Sequence, residues 1–412
     1  MKISKHIQWS MPFIIFMLLP FLEPQGIVGM SDYLGGIYRY IDSGFTILTV
    51  VSCLFICILY FGRKTVALSK ILVVILAYVA WLIFSSVING NFSTGYLITS
   101  LKIIGMCMMA DFYMDSPYSM RFLKAACLIL ETWILLNFIC IIIFPDFMYV
   151  DDRGWGANWL LGYKNLHIYY FIPYIAIKAI IQYFEKSNLT ISYYIMIAII
   201  LASSILANST TTFITICVLI ICIVFLRRFD LPKMFNSFSI VCISGALSVV
   251  FIMFNRIASI LTVVEKLFDT NTIYLRNLIW ARSLIYIAEN PIIGKGNFAF
   301  ELSSFSWKIT QTHNKFIDLL ITGGIVQVVL FFFLFWIVSK KISDMKQFEY
   351  RNIMNFSFAL YAILFLTEAR RNDYLFFMLI VVAFYLPHLL SKANISGNFY
   401  KRTKRRHLKI HF

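Results

Sequence analysis

The chain reads as an all-α polytopic integral membrane protein with about twelve transmembrane helices, and three observations predict this. First, 60% of its 412 residues are hydrophobic and only 14% are charged, whereas a soluble domain is about 45–50% apolar and about 25% charged. Second, the apolar residues fall in repeated runs of near twenty, the length a helix needs to cross roughly 30 Å of hydrocarbon. Third, Lys and Arg collect in alternate connections between those runs. The runs are too continuous for an outer-membrane barrel, whose strands alternate over about ten residues.

Taken in order, the expected spans are residues 9–30, 42–61, 69–88, 94–113, 124–144, 167–185, 191–207, 209–226, 237–254, 316–339, 352–368 and 373–390. The first contains Pro20 and Pro24, so an irregular stretch is expected inside it. It lacks a small-residue cleavage site and reads as a retained span rather than a signal peptide. Little more than Asn208 separates the seventh and eighth, which leaves a tight hairpin or one interrupted helix, and hence twelve spans or eleven. Arg63, Lys64, Arg121, Lys124, Lys186, Arg227, Arg228, Lys233, Lys340, Lys341, Lys346 and Arg351 fall on one side. Asp32, Asp42, Asp146, Asp151 and Asp152 fall on the other. Both termini are therefore expected in the cytoplasm. Residues 1–390 form a single transmembrane domain with outer loops at 145–166 and 255–315, followed by a basic cytoplasmic tail, 391–412.

The net charge of +16 raises a nucleic-acid partner as a possibility. Its basic residues sit mostly in short connections and in the tail, where topology demands them, so no nucleic acid is expected. The six Lys/Arg between Lys401 and Lys409 are either a topology signal or a contact for anionic lipid headgroups. The eight cysteines all lie in apolar runs without a CxxC and read as small buried hydrophobes.

The second outer loop is about sixty residues long, too long to be a bare connection. Within it, residues 274–290 have helical periodicity: Leu275, Ile279, Leu284 and Ile287 make an apolar stripe, and Arg276, Trp280 and Ser283 recur on a neighbouring face. Pro291 stops this helix, and Gly294 and Gly296 supply turn freedom. No P-loop, HExxH or dinucleotide motif occurs, and the six histidines form no ligand cluster, so neither a cofactor nor a structural metal is expected. The Asp151-Asp152 pair resembles metal-holding pairs of sugar transferases, but an ordinary solvated loop is the plainer reading.

The expected outer face gathers Arg153, Lys164, Arg276, Arg282, His313, Asn314, Glu368, Arg370 and Arg371. Ionisable groups near a bilayer are costly unless paired and so are functional suspects. Arginine forks suit phosphate oxygens, and a histidine near neutrality can take or orient a hydroxyl proton. Plainer roles stand beside these: an interfacial polar residue for His313, headgroup anchors for Arg276 and Arg282, a structural ion pair for Glu368 and Arg371, an interface aromatic for Trp280. Composition alone leaves an outer-face enzyme and a transporter both open.

The run from Tyr274 to Phe333, "YLRNLIWARSLIYIAENPIIGKG…THNKFIDLLITGGIVQVVLFFF", resembles the O-antigen polymerase and O-antigen ligase superfamily. The resemblance rests on Arg276, Trp280, the Asn290-Pro291…Gly294-x-Gly296 turn, the His313-Asn314 pair, and Gly324 before an apolar span. The upstream "RGWGANWLLGYKN", ending at Asn165, is similar to an outer-loop element of that superfamily. One departure stands out. Many relatives carry an Arg within a Ser/Thr-Arg-Ser/Thr element at the outer end of a middle span, where this chain has Asn208, Ser209 and Thr210.

The resemblance implies glycosyl transfer without nucleotide sugar or metal, in the bacterial plasma membrane. The donor is an undecaprenyl-diphosphate-linked glycan whose anomeric carbon an acceptor hydroxyl attacks with inversion. In a polymerase the acceptor is another lipid-linked repeat unit of O-antigen, capsule or exopolysaccharide; in a ligase it is the lipid A core. Implied partners are the lipid-linked glycan, membrane lipid, and a chain-length regulator and flippase of the same pathway. On this reading Arg276 and His313 are catalytic. Asn314, Arg153, Lys164, Asn165, Arg282, Glu368 and Arg371 line the substrate or its diphosphate, and Trp280, Pro291, Gly294, Gly296 and Gly324 shape the loop. The compact stretch up to His313 favours a polymerase. A flippase or secondary transporter is the alternative of another class, but such proteins show internal repeats and midplane coupling residues, and here the charges lie at one face.

Overall fold

The computed structural model describes residues 10–62, 68–150, 157–224, 229, 235–254, 270–297, 300–301, 308–309, 312–370 and 373–395. These are almost entirely helical. In chain order the helices are α1 (Met11–Leu18), α2 (Gln25–Tyr33), α3 (Ile37–Phe61), α4 (Lys70–Ile88), α5 (Thr94–Met114), α6 (Ser119–Ile143) and α7 (Ile168–Lys186). There follow α8 (Ile191–Leu206), α9 (Thr210–Val224), α10 (Ser237–Phe254), α11 (Thr270–Glu289), α12 (Lys315–Ser343), α13 (Phe348–Thr367) and α14 (Tyr374–Ile395). The two sheets are two-stranded antiparallel pairs in the loops: β1 (Asn158–Trp159) with β2 (Gly162–Tyr163), and β3 (Phe300–Glu301) with β4 (Lys308–Ile309).

A helix, or the bent α1–α2 pair, stands at the place of each expected span. Among the described residues six helices are long and apolar enough to cross a membrane by themselves: α3, α4, α5, α6, α12 and α14. The α1–α2 pair, bent by 52°, makes a seventh; α8, α9 and the apolar part of α10 are shorter. The prolines explain the bend. Pro20 lies in a 3₁₀ turn, Leu19–Leu22, and Pro24 caps α2, so the ladder stops between them. Helices α8 and α9 pack on each other across Asn208, whose φ of 51° turns the chain, as a tight hairpin does.

Charges inside the apolar helices have partners, as a low-dielectric setting requires. Lys102 meets Glu23 at 2.5 Å and Lys178 meets Glu131 at 2.7 Å. Asp111 accepts from the hydroxyls of Tyr60, Ser69 and Tyr385. The contact between α12, α13 and α14 is a run of phenyl rings, with Phe331, Phe335, Phe365 and Phe376 within 5.2–6.5 Å of one another.

Helix α12, expected as one uninterrupted span, is broken. Gly324 has φ 65° and ψ −162°, a conformation open only to glycine. The break frees the carbonyls of Ile321, Thr322 and Gly323, and each finds a donor from elsewhere. The backbone N–H of Lys295 donates to Ile321 at 2.6 Å, that of Gly296 to Thr322 at 2.8 Å, and the Trp81 indole to Gly323 at 2.7 Å. In return Ile325 N–H donates to the Pro291 carbonyl at 2.9 Å. The segment Pro291–Asn297 is thus a strap seated in the break, and its backbone takes up polar groups that the break leaves without helical partners. Glycine is required on both sides. A Cβ on Gly324 would lie 2.1 Å from the Ile292 carbonyl oxygen, and one on Gly294 2.6 Å from the Gly323 nitrogen.

Candidate active site

The residues 312–314 immediately before α12 are held from both flanks. Asn314 is the α12 N-cap, its Oδ1 accepting from the N–H groups of Phe316 at 3.1 Å and Ile317 at 3.2 Å. Its Nδ2 donates to the Ser248 hydroxyl on α10 at 3.1 Å. All of Asn314's side chain is thereby engaged and buried, which makes it a structural cap in this state rather than an open sugar ligand. On the other flank Trp280 donates its indole N–H to the Thr312 carbonyl at 2.9 Å, and the Thr312 hydroxyl donates to the Asn314 carbonyl at 2.8 Å. Trp280 is buried with Ile279, Ile317 and Ile321, so it is part of the α11–α12 contact and not a lipid-interface aromatic. Replacing Trp280 with phenylalanine keeps most of that packing and removes the indole bond. A loss of about 1 kcal/mol in unfolding free energy is expected, against about 3–5 kcal/mol for alanine, to be read from denaturation of the purified protein in detergent.

Between these anchors His313 adopts φ 53°, left-handed for a non-glycine residue. Its side chain, 28% exposed, meets Glu368 at the end of α13: Nδ1 lies 3.3 Å from Oε2. The other carboxylate oxygen faces Arg276 on α11, with Oε1 and Nη2 3.9 Å apart. The guanidinium and the carboxylate are 26% and 12% exposed, so the pair is partly screened. A carboxylate only accepts, so an imidazole bonded to it through Nδ1 carries a proton there, and in its neutral form has Nε2 as an acceptor. Helix α11, the start of α12 and the end of α13 thus bring a guanidinium, an imidazole and a carboxylate side by side.

Next to this trio Lys315, also buried, donates to the Arg370 carbonyl at 2.8 Å. The Arg370 guanidinium bonds Gln25 at the start of α2 and lies 5.2 Å from the Tyr169 ring centroid and 5.8 Å from that of Tyr374. Arg370 ties the bent first span to the α13–α14 connection, a role the sequence did not single out.

The remaining expected residues divide. Lys164 and Asn165 sit on the α8–α9 turn: Lys164 Nζ donates to the Asn208 carbonyl at 3.0 Å, and Asn165 Oδ1 accepts from Ser209 at 3.0 Å. Among the described residues no hydrogen bond or ion pair joins them to the His313 group. Arg282 is exposed and lies 5.0 Å over the Tyr286 ring, one-third of a turn around α11 from Arg276 and away from the trio. Pro291, Gly294, Gly296 and Gly324 form the strap and its seat. Arg153 and Arg371 lie outside the described residues.

The long apolar helices define a multi-pass membrane protein, and the His313, Glu368 and Arg276 side chains meet beside its broken helix and strap. The family model described as O-Antigen ligase matches residues 195–332, about a third of the chain, in agreement with the polymerase and ligase superfamily that the motifs resemble. The matched stretch contains Arg276, Trp280, the strap, His313 and Gly324; Glu368 lies outside it. No curated protein and no solved structure matches the chain.

Proposed function

We propose that the protein is a polymerase joining undecaprenyl-diphosphate-linked oligosaccharide repeat units into O-antigen, capsular or exopolysaccharide at the outer face of the bacterial plasma membrane. The chain crosses the membrane twelve times with both termini in the cytoplasm. The observation that carries the reading is the Glu368 carboxylate set between the His313 imidazole and the Arg276 guanidinium, two of the three within the family match.

The chemistry follows from the arrangement. The acceptor hydroxyl gives its proton to Nε2 of His313 as its oxygen bonds the anomeric carbon. The bond from that carbon to the diphosphate oxygen breaks, and undecaprenyl diphosphate leaves with the electron pair. Such a leaving group needs charge neutralisation more than protonation, which is the part of Arg276. Glu368 fixes the imidazole tautomer and ring plane, the orienting role a third group plays for a base. Lys164 and Arg153 add positive charge, Lys164 at the very turn where relatives carry the Ser/Thr-Arg-Ser/Thr arginine that this chain lacks. Replacing Glu368 with glutamine keeps the size but not the charge; a fall of about 10–100-fold in turnover with folded protein unchanged is expected in a purified assay.

The description of the matching family favours a second reading, a ligase that moves finished polymer from undecaprenyl diphosphate to the lipid A core. One experiment separates the two. The gene is deleted in its own strain and restored as the parent, H313A or R276A form at matched expression. Surface glycan with a single repeat unit per anchor marks a lost polymerase; lipid-linked polymer beside bare core marks a lost ligase. A normal chain-length distribution with both variants contradicts the catalytic assignment.

A further inference from the structure

We infer that the polar end of α4 and the turn after it form a clamp that positions the catalytic groups: Ser85, Ser86, Asn89 and Asn91 hold the Pro291–Asn297 strap in the break of α12 and so set Arg276 against His313. The inference rests on the proposed reading of Arg276 and His313.

These four side chains share one target, a segment about 200 residues away in sequence. The Ser85 hydroxyl lies 2.8 Å from the carbonyls of both Ile293 and Thr322, one on the strap and one at the break. Ser86 accepts from the Asn297 N–H at 2.9 Å. Asn89 donates to the Gly294 carbonyl at 3.1 Å, and Asn91 to that of Lys295 at 2.8 Å. The approach is close enough to exclude sliding, since a Cβ on Gly296 would lie 2.3 Å from the Ser86 Cα. A polar cluster is not needed to end an apolar helix, and each of these groups would cost free energy if buried without a partner.

Geometry connects the clamp to the site. Helix α11 is fixed to α12 at two places, the packing of Ile279 and Trp280 on Ile317 and Ile321 beside the Trp280–Thr312 bond, and the strap that follows its C-terminus. Two points define an axis, whereas one leaves a pivot. Arg276 lies four residues beyond Trp280, about 6 Å along the helix, so a pivot of about 10° moves it by about 1 Å. A misplacement of that size is enough to lower a rate by up to about 100-fold.

The test uses the full chain in lipid nanodiscs, comparing the parent with the S85A/N89A/N91A variant and with Ser85→Thr, which keeps the hydroxyl. Amide hydrogen exchange is followed at Lys295, Gly296 and Ile325, with α5 and α6 as internal controls. Turnover is measured with a lipid-linked repeat unit. The triple variant is expected to lose protection at those three amides alone and to lose about tenfold or more in kcat, with donor KM within about twofold. Ser85→Thr is expected to retain both. Unchanged protection in the triple variant overturns the clamp, and lost protection with unchanged kcat overturns its positioning role. If the parent itself forms no product, the glycosyl-transfer reading fails, and the exchange measurement still decides whether these side chains hold the strap.

Discussion

His313→Asn is expected to lower turnover by about 10²–10⁴-fold while leaving the amount of folded protein unchanged. Asparagine is the informative replacement because position 313 has φ 53°, and asparagine tolerates left-handed backbone better than alanine does. The cap and its neighbours are untouched, since the bonds that hold this turn come from Trp280, Thr312 and Asn314. What disappears is the acceptor at Nε2, together with the contact to Glu368. Turnover of a lipid-linked repeat unit by matched amounts of purified protein checks it. A variant within about threefold of the parent would remove His313 from the chemistry, since general-base groups contribute far more than that.

Gly324→Ala is expected to be the most damaging single substitution to the fold. The residue occupies a glycine-only region of backbone space, at a cost of about 1–3 kcal/mol for any side chain. The new Cβ would also meet the Ile292 carbonyl oxygen at 2.1 Å, a backbone atom that cannot turn aside. Relief requires the strap to leave the break, and then Ile321 and Thr322 lose backbone donors in an apolar setting, at about 1–3 kcal/mol each. A total above about 4 kcal/mol places the variant among the rare severe cases, seen as loss of monodisperse protein or of a cooperative thermal transition in detergent. Gly44→Ala on α3 is the control. Its Cβ would meet nothing within 4 Å, and a helical glycine replaced by alanine is expected to stabilise by up to about 1 kcal/mol.

Much of this was legible in the sequence, because hydropathy and a few punctuating residues carry the signal. The apolar runs located the helices, Pro20 and Pro24 the bend, and Pro291 the end of α11, while Asn208 left a hairpin and an interrupted helix both open. The recurrence of Arg276, Trp280 and Ser283 predicted a common face. Ser283 and Trp280 are buried there, with Arg276 half-buried beside them. Hydropathy was blind to the break in α12, since an apolar window averages over Gly323–Gly324 without registering φ. It was blind to the strap's seat for the same reason: Ser85, Ser86, Asn89 and Asn91 read as the polar fringe of a span until their partners some 200 residues on are known. Side-chain company was not legible either: Glu368 meets both His313 and Arg276, while Lys164 and Asn165 engage the α8–α9 turn. Contacts between side chains on three separate helices leave no local trace in sequence.

The central claim is that Arg276, His313 and Glu368 together transfer a glycan from undecaprenyl diphosphate to the hydroxyl of another lipid-linked repeat unit. The most direct test supplies purified protein in nanodiscs with one lipid-linked repeat unit as both donor and acceptor, with no lipid A core present. Released undecaprenyl diphosphate and glycan length are followed together. The account predicts release matched by a ladder of lengthened chains, and loss of both with the R276A and H313N variants. Release and elongation at the parent rate in those variants would contradict it.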